Sequence, residues 1–222
     1  MTAPSGPHGH DHAHDHDHDH DHAPITQDAD PGYYELMETA LRELLIERGL
    51  FTADEIRRQI EVLDSRTPAL GARVVARAWV DPAFRAQLLD QGRKTCEALG
   101  ISFYDDTDLI VLENTETVHN LIVCTLCSCY PRPVLGLPPD WYKSRNYRAR
   151  AVIEPRAVLA EFGTTLSDAV ELRVHDSTAT IRYLVLPKRP AGTEAFSEDQ
   201  LAALVTRDAM IGVVHPAVQE AA

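Results

Sequence analysis

The chain has 222 residues, 44% of them apolar, enough for one large domain or a medium domain with an appendage. Its net charge of −13 argues against a nucleic-acid partner. It contains no run of about 18 apolar residues and no basic-then-apolar leader, so neither a membrane helix nor a secretory signal is expected.

That reading places the chain in the cytoplasm, where clustered cysteines point to metal binding or catalysis more than to structural disulfides. Much of the negative charge is local. Residues 1–30 hold seven Asp and no Lys or Arg, which leaves 27 acidic against 21 basic residues elsewhere, a balance of −6. "HGHDHAHDHDHDHDH", residues 8 to 22, alternates imidazole and carboxylate and has almost nothing apolar with which to order itself. Residues 1–31 are therefore expected to be a disordered tail. It offers many weak sites for a divalent first-row metal. A plain solvated tail or a purification tag is the alternative, and the interleaved Asp favours metal gathering.

Residues 32–100 read as a helical arm. In "YYELMETALRELLIERG" the side chains of Leu36, Met37, Ala40, Leu41, Leu44 and Leu45 share a stripe, and Gly49 suits the position just past a helix end. "TADE" is a capping box from Thr52 to Glu55. Asp81-Pro82 reads as an N-cap followed by an N1 proline. Stripes of this kind need something to lie on, and a partner subunit is one such surface.

From residue 101 the period changes. "DLIVLEN", "NLIVC", "ELRVHD" and "TIRYLVLP" are short β-rich runs, and helices return at "RAVLAEFG" and "SEDQLAALVTRDAMIG". The second of these carries its own capping box, Ser197 to Gln200. The expected class is α+β: the arm, then a layered α-β-β-α catalytic domain over 101–216, then a flexible C-terminus over 217–222.

"VCTLCSCY", residues 123 to 130, gathers three of the four cysteines, Cys124, Cys127 and Cys129. A C-x-x-C pair alone fits a redox motif or half a zinc site. The third thiol, with Pro131 and Pro133 standing where a redox helix would begin, argues against the first. The lack of a second ligand pair argues against the second, since Cys96 sits in an expected helix as a small buried apolar residue. Three thiols within six residues can instead wrap one ion, with the peptide nitrogens between them close enough to join. Amide ligation asks for an ion able to displace an amide proton, such as trivalent cobalt or iron.

The run "VCTLCSCYPRPVLGLPPDWYKSRNYRARAV" resembles the metal-site segment of the nitrile hydratase α subunit and of the related thiocyanate hydrolase γ subunit. The likeness continues through "EPRAVLAEFG", "RVHDS", "IRYLVLPKRP" and "LVTRDAMIGV", over about residues 33 to 215. The resemblance implies one non-corrin Co(III) per chain, or Fe(III). Cys124 would be the axial thiolate, Cys127 a sulfinic and Cys129 a sulfenic acid. The backbone nitrogens of Ser128 and Cys129 would complete the ligand set. Thr125 and Tyr130 look like the cobalt form. It also implies catalytic roles for Cys127, Ser128 and Cys129, and a β-type partner subunit in a heterotetramer or larger assembly. A cobalt-loading accessory protein is implied as well.

The implied activity is hydration of a nitrile to its amide; the alternative is hydrolysis of thiocyanate to carbonyl sulfide and ammonia. Arg132 bears on that choice, because "YPRP" is similar to thiocyanate hydrolase where nitrile hydratases mostly carry "YPWP". Tyr130, Arg132 and Trp141 are the expected pocket residues. Asp176 and Arg182 match family positions close around the site; His119, in "ENTETVHN", is either a residue close around the site or, the favoured reading, a hydrogen-bonded structural histidine. The glutamate that usually follows the aspartate by four residues is Thr180 here. The basic residues Lys143, Arg145, Arg148 and Arg150 read as a subunit interface. A metal storage or chaperone protein is the remaining reading, prompted by the tail.

Overall fold

The computed structural model describes residues 32–104, 106–127 and 129–218. The His/Asp tail, Ser128 and the last four residues lie outside the described residues, and with them the expectations placed there. By its contacts the chain divides into two units, Met1–Ala53 and Asp54–Ala222.

In the first unit, α1 spans Tyr33–Glu47. It begins where the Gly32 N–H donates to the Glu35 carboxylate at 2.8 Å, and it is followed by Gly49 at φ +69°, the left-handed geometry expected of that glycine. The helix buries no residue, and Leu36, Met37, Leu41 and Leu44 all lie exposed along its stripe.

The second unit starts with α2 (Ala53–Asp64), which also buries nothing. The next three helices do build core. α3 (Pro68–Val80) begins on an N1 proline and buries Val74, Val75, Ala76 and Ala78. α4 (Pro82–Asp90) is capped as the sequence suggests: the Asp81 carboxylate accepts from the N–H groups of Ala83 and Phe84, both at 3.0 Å. In α5 (Gly92–Ala98), Cys96 is fully buried, and burial, reinforced by neighbouring Glu97, pushes its thiol up to about 12. It is a packing residue, inert at neutral pH.

The strands form two parallel pairs rather than one sheet. β1 (Asp108–Glu113) pairs with β4 (Ile181–Leu186), and β2 (Val118–Val123) pairs with β3 (Glu171–Asp176). A parallel pair needs a long connection. Between β2 and β3 that connection holds the cysteine run and four helices: α6 (Arg132–Leu135), α7 (Asp140–Lys143), α8 (Arg145–Ile153) and α9 (Pro155–Glu161). β1, β2 and β4 are covered on both faces, which is why they read as unbroken apolar runs such as "LIVL" and "YLVL". β3 is half exposed and alternates instead. Two helices follow β4, α10 (Glu198–Leu204) on the Ser197–Gln200 capping box and α11 (Arg207–Ile211).

Leu109, Leu121, Val123, Leu184 and Leu186 meet Val75, Leu88, Leu135, Leu159 and Met210 in one core. Each such burial contributes roughly 1.5–3 kcal/mol. The prolines after the cysteines do not prevent helix. Pro131 is the N-cap of α6 and Pro133 sits in its first turn, where no intrahelical N–H is required. Of the basic run, Lys143 pairs with Asp140 at 2.9 Å and Arg150 with both Glu154 and Glu161. Among the described residues, no helix is long and apolar enough to cross a membrane.

Gly212 closes α11 at φ +93°, and a Cβ there would stand 2.0 Å from the carbonyl oxygen of Asn120 in β2. Gly212→Ala should therefore lower stability by at least roughly 1–3 kcal/mol, the usual cost of a disallowed backbone conformation. Denaturant titration reads this directly, and an unmoved midpoint would contradict the close approach.

Candidate metal centre

β2 ends at Val123 and delivers Cys124 into a turn. Cys124 is 1% exposed, Cys129 half-buried and Cys127 exposed. Their sulfurs converge: Cys124 to Cys127 is 3.4 Å, Cys127 to Cys129 is 3.3 Å, and all three lie within 4.8 Å of one another. The Cys127 N–H also turns inward, onto the Cys124 sulfur at 3.3 Å. Among the described residues, these three form the one His/Cys/Asp/Glu group spaced to share an ion.

Sulfur spacing depends on ligation geometry. With metal–sulfur bonds of about 2.3 Å, right-angled ligation sets neighbouring sulfurs about 3.3 Å apart, and a tetrahedral centre about 3.8 Å. As metal-free thiols, the Cys124–Cys127 and Cys127–Cys129 pairs stand close to the shorter of these spacings. Burial, then the hydrogen bond with Cys127, pushes the Cys129 thiol up to about 12, with Arg182 pulling the other way. The sulfur keeps its proton until an ion displaces it.

The parallel register explains what holds the turn. Val123 lies opposite Asp176, so the last residue of β3 stands beside the first residues of the turn. The Asp176 carboxylate accepts from the Thr125 N–H at 2.9 Å and, through its other oxygen, from the Thr125 hydroxyl. This two-point clamp joins residues 51 apart in sequence. Two phenols grip the turn from behind. The Tyr142 hydroxyl donates to the Cys129 carbonyl at 2.9 Å, and the Tyr147 hydroxyl to the Ile122 carbonyl at 2.6 Å. Each such bond is worth roughly 0.5–1.5 kcal/mol net. Burial raises both phenols well above their ordinary value, so both remain donors across the ordinary pH range.

A cavity of about 260 Å³ opens over the two outer cysteines. Cys127, Cys129, Tyr130, Arg132 and Arg182 line it, together with Tyr104, which carries the Arg66 guanidinium 4.3 Å above its ring. Arg132 is exposed and forms no ion pair among the described residues. Arg182 is tied to the carbonyls of Thr178 and Ala179. The Tyr130 hydroxyl is buried and has no hydrogen-bond partner among the described residues.

Two of the sequence candidates stand elsewhere. Trp141 does not line this cavity; it packs edge-on against Tyr147 at 4.8 Å and Phe162 at 4.7 Å. His119 is buried on β2, with Nε2 2.7 Å from the Gly212 carbonyl and Nδ1 3.2 Å from the Asn114 amide. Those partners fix the tautomer protonated on Nε2. Burial lowers its pKa and keeps it neutral, which suits a structural link between β2 and α11. Thr125 and the two supporting tyrosines were not legible as site residues. The one hint was a pair of tyrosines in "WYKSRNY", since a buried phenol seeks an acceptor.

Fold and site together define an α+β chain with a three-cysteine cluster spaced to hold a metal ion. The chain belongs to the nitrile hydratase alpha-chain family, whose model matches residues 32–214. It is 55% identical over 178 residues to the low-molecular weight cobalt-containing nitrile hydratase subunit alpha of Rhodococcus rhodochrous, covering 80% of this chain and 86% of that one. It is 46% identical over 205 residues to the thiocyanate hydrolase subunit gamma of Thiobacillus thioparus, covering 87% and 84%. Among solved structures, recombinant thiocyanate hydrolase with partially modified cobalt centres superposes at a TM-score of 0.80 and 44% identity, over 85% of this chain and 92% of that one.

Removing the clamp should loosen the claw. Asp176→Ala is expected to weaken cobalt(II) binding by about 10- to 100-fold, the usual effect of losing a group that orients metal ligands. Anaerobic titration of the metal-free chain measures it; an unchanged affinity would show that the turn holds its shape without the carboxylate.

Proposed function

We propose that this chain is the metal-binding subunit of a nitrile hydratase, converting a nitrile and water to the amide. The observation that carries this reading is the convergence of Cys124, Cys127 and Cys129 beneath a small cavity. The claw residues, with the backbone nitrogens of Ser128 and Cys129, would hold one Co(III). The choice of cobalt over iron is supported by Thr125 and Tyr130, which look like the cobalt form, and by the cobalt-containing relatives. When bound, such an ion supplies a Lewis acid that polarises a nitrile nitrogen or lowers the pKa of a bound water.

The chain's own residues would do the rest. Cys127 would carry sulfinic and Cys129 sulfenic oxidation. The oxygen on Cys129, at the cavity wall, is the nucleophile or base towards the nitrile carbon. The Asp176 clamp and the Tyr142 hydrogen bond keep that residue aimed at the cavity. Tyr130 and Arg132 shape the wall. The open stripe of α1 is the docking face for a β-type subunit in a hetero-oligomer, and we assign cobalt insertion to an accessory protein and the whole assembly to the cytoplasm. We read the His/Asp tail as a metal-gathering segment dispensable for turnover once the ion is in place.

Mass spectrometry of the peptide spanning Cys127 and Cys129, with metal analysis of the co-expressed complex, tests this reading. We expect one cobalt per chain, two added oxygens on Cys127 and one on Cys129, all lost with Cys124→Ala, Cys127→Ala or Cys129→Ala. Readily exchangeable metal over unmodified thiols would favour a storage protein instead.

A second reading, thiocyanate hydrolysis to carbonyl sulfide, ammonia and hydroxide with two waters consumed, is favoured by one observation. The guanidinium of Arg132, which forms no ion pair among the described residues, lines the cavity beside Arg182, a setting that suits an anion. A charge-assisted hydrogen bond lost there is worth about 1.5–3 kcal/mol, or roughly 10- to 100-fold. Arg132→Trp should lower kcat/KM for thiocyanate by that factor while sparing or improving a small aliphatic nitrile. Equal ratios in wild type and variant would remove Arg132 from substrate selection.

A further inference from the structure

The cysteine turn is gripped at both ends by one aromatic block. Tyr142, on α7, is fully buried and donates to the carbonyl of Cys129, the last residue of the claw. Tyr147, on α8, is 6% exposed and donates to the carbonyl of Ile122, two residues before the first cysteine. The two rings lie 5.6 Å apart, and Trp141 packs edge-on against both. The hydroxyl of Ser144 caps α8 by accepting from the Tyr147 N–H at 3.1 Å, which sets the geometry between the two short helices. The hydroxyls thus reach the turn from a single, well-packed body. Neither bond is needed to complete a helix or a strand pair.

We propose that Tyr142 and Tyr147 are positioning residues of the claw, which fix the carbonyls on either side of the three cysteines and so preset the sulfur spacing before an ion arrives. This rests on the reading of the claw as a metal site. The physical gain is preorganisation: a turn already held at 3.3–3.4 Å between successive sulfurs loses little freedom on binding. Tyr142 should matter more. Its acceptor is the carbonyl of a cysteine itself, so it fixes the backbone torsion that aims the Cys129 sulfur. Tyr147 acts on the end of β2, which the pairing with β3 already restrains.

The test uses the full-length, metal-free chain titrated anaerobically with cobalt(II), reading the sulfur-to-cobalt charge-transfer absorption, for wild type, Tyr142→Phe, Tyr147→Phe and Cys127→Ala. Phenylalanine keeps the ring and its packing and removes only the hydroxyl. Expected are a charge-transfer band in wild type, its loss in Cys127→Ala, and for Tyr142→Phe a shifted band with affinity lowered about 10- to 100-fold. Tyr147→Phe should show a smaller drop, and the metal-free variants should melt within about 2–6 °C of wild type, the cost of one hydrogen bond. Wild-type band position and affinity in both phenylalanine variants would overturn the positioning role and leave the metal reading intact. No charge-transfer band in wild type would overturn both. Should Tyr142→Phe fail to fold, wild-type affinity in Tyr147→Phe alone would overturn the two-ended grip.

Discussion

The structure turns on the in-register parallel pairing of β2 with β3. Parallel strands end at the same edge, so Val123 and Asp176 finish side by side. The cysteine turn leaves from that edge, and the carboxylate that steadies it stands at the same edge. A shift of one residue would carry the Asp176 side chain to the other face of the sheet and empty the place beside Thr125. Sites at the carboxyl ends of parallel strands are a general consequence of this geometry, because the chain must leave the sheet there with its backbone groups unpaired.

The four helices between β2 and β3 serve that edge in a second way. They form the crossover that lets the strands run parallel, and they also return Tyr142 and Tyr147 behind the turn. The claw is therefore enclosed by the connection that begins with it. On its open side nothing in the described residues covers Leu126, which is 88% exposed between two cysteines. A metal turn with an apolar residue at its crest suits a surface that a partner closes. The same holds for α1, whose apolar stripe has no buried member.

Charge is distributed to match. Arg150 and Lys143 are paired with carboxylates on their own or neighbouring helices, while Arg145 and Arg148 form no ion pair among the described residues. At the cavity the balance differs: among the described residues, two guanidinium groups and no carboxylate line the space over Cys127 and Cys129. The geometry of the claw is common to both proposed reactions, while this charge is what separates a neutral from an anionic substrate. The neutral, buried His119 belongs to the scaffold instead, linking β2 to α11 through the Gly212 carbonyl.

Much was legible from the sequence because it is local. The caps at Asp81 and Ser197 and the left-handed Gly49 depend on residues within three or four positions, and all were read correctly. The grouping of three thiols within six residues was legible too, while their convergence is a property of the folded turn. The apolar runs of β1, β2 and β4 announced buried strands, yet not that they would pair in parallel as two separate couples. Only the tertiary structure decided that Asp176 would meet Thr125, that Tyr142 and Tyr147 would hold the turn, and that Trp141 would pack in the core while Arg182 lined the cavity. The hydrogen bonds among these contacts join residues from 13 to 51 positions apart. They follow from strand register and helix packing, which a pattern of polar and apolar residues constrains but does not specify.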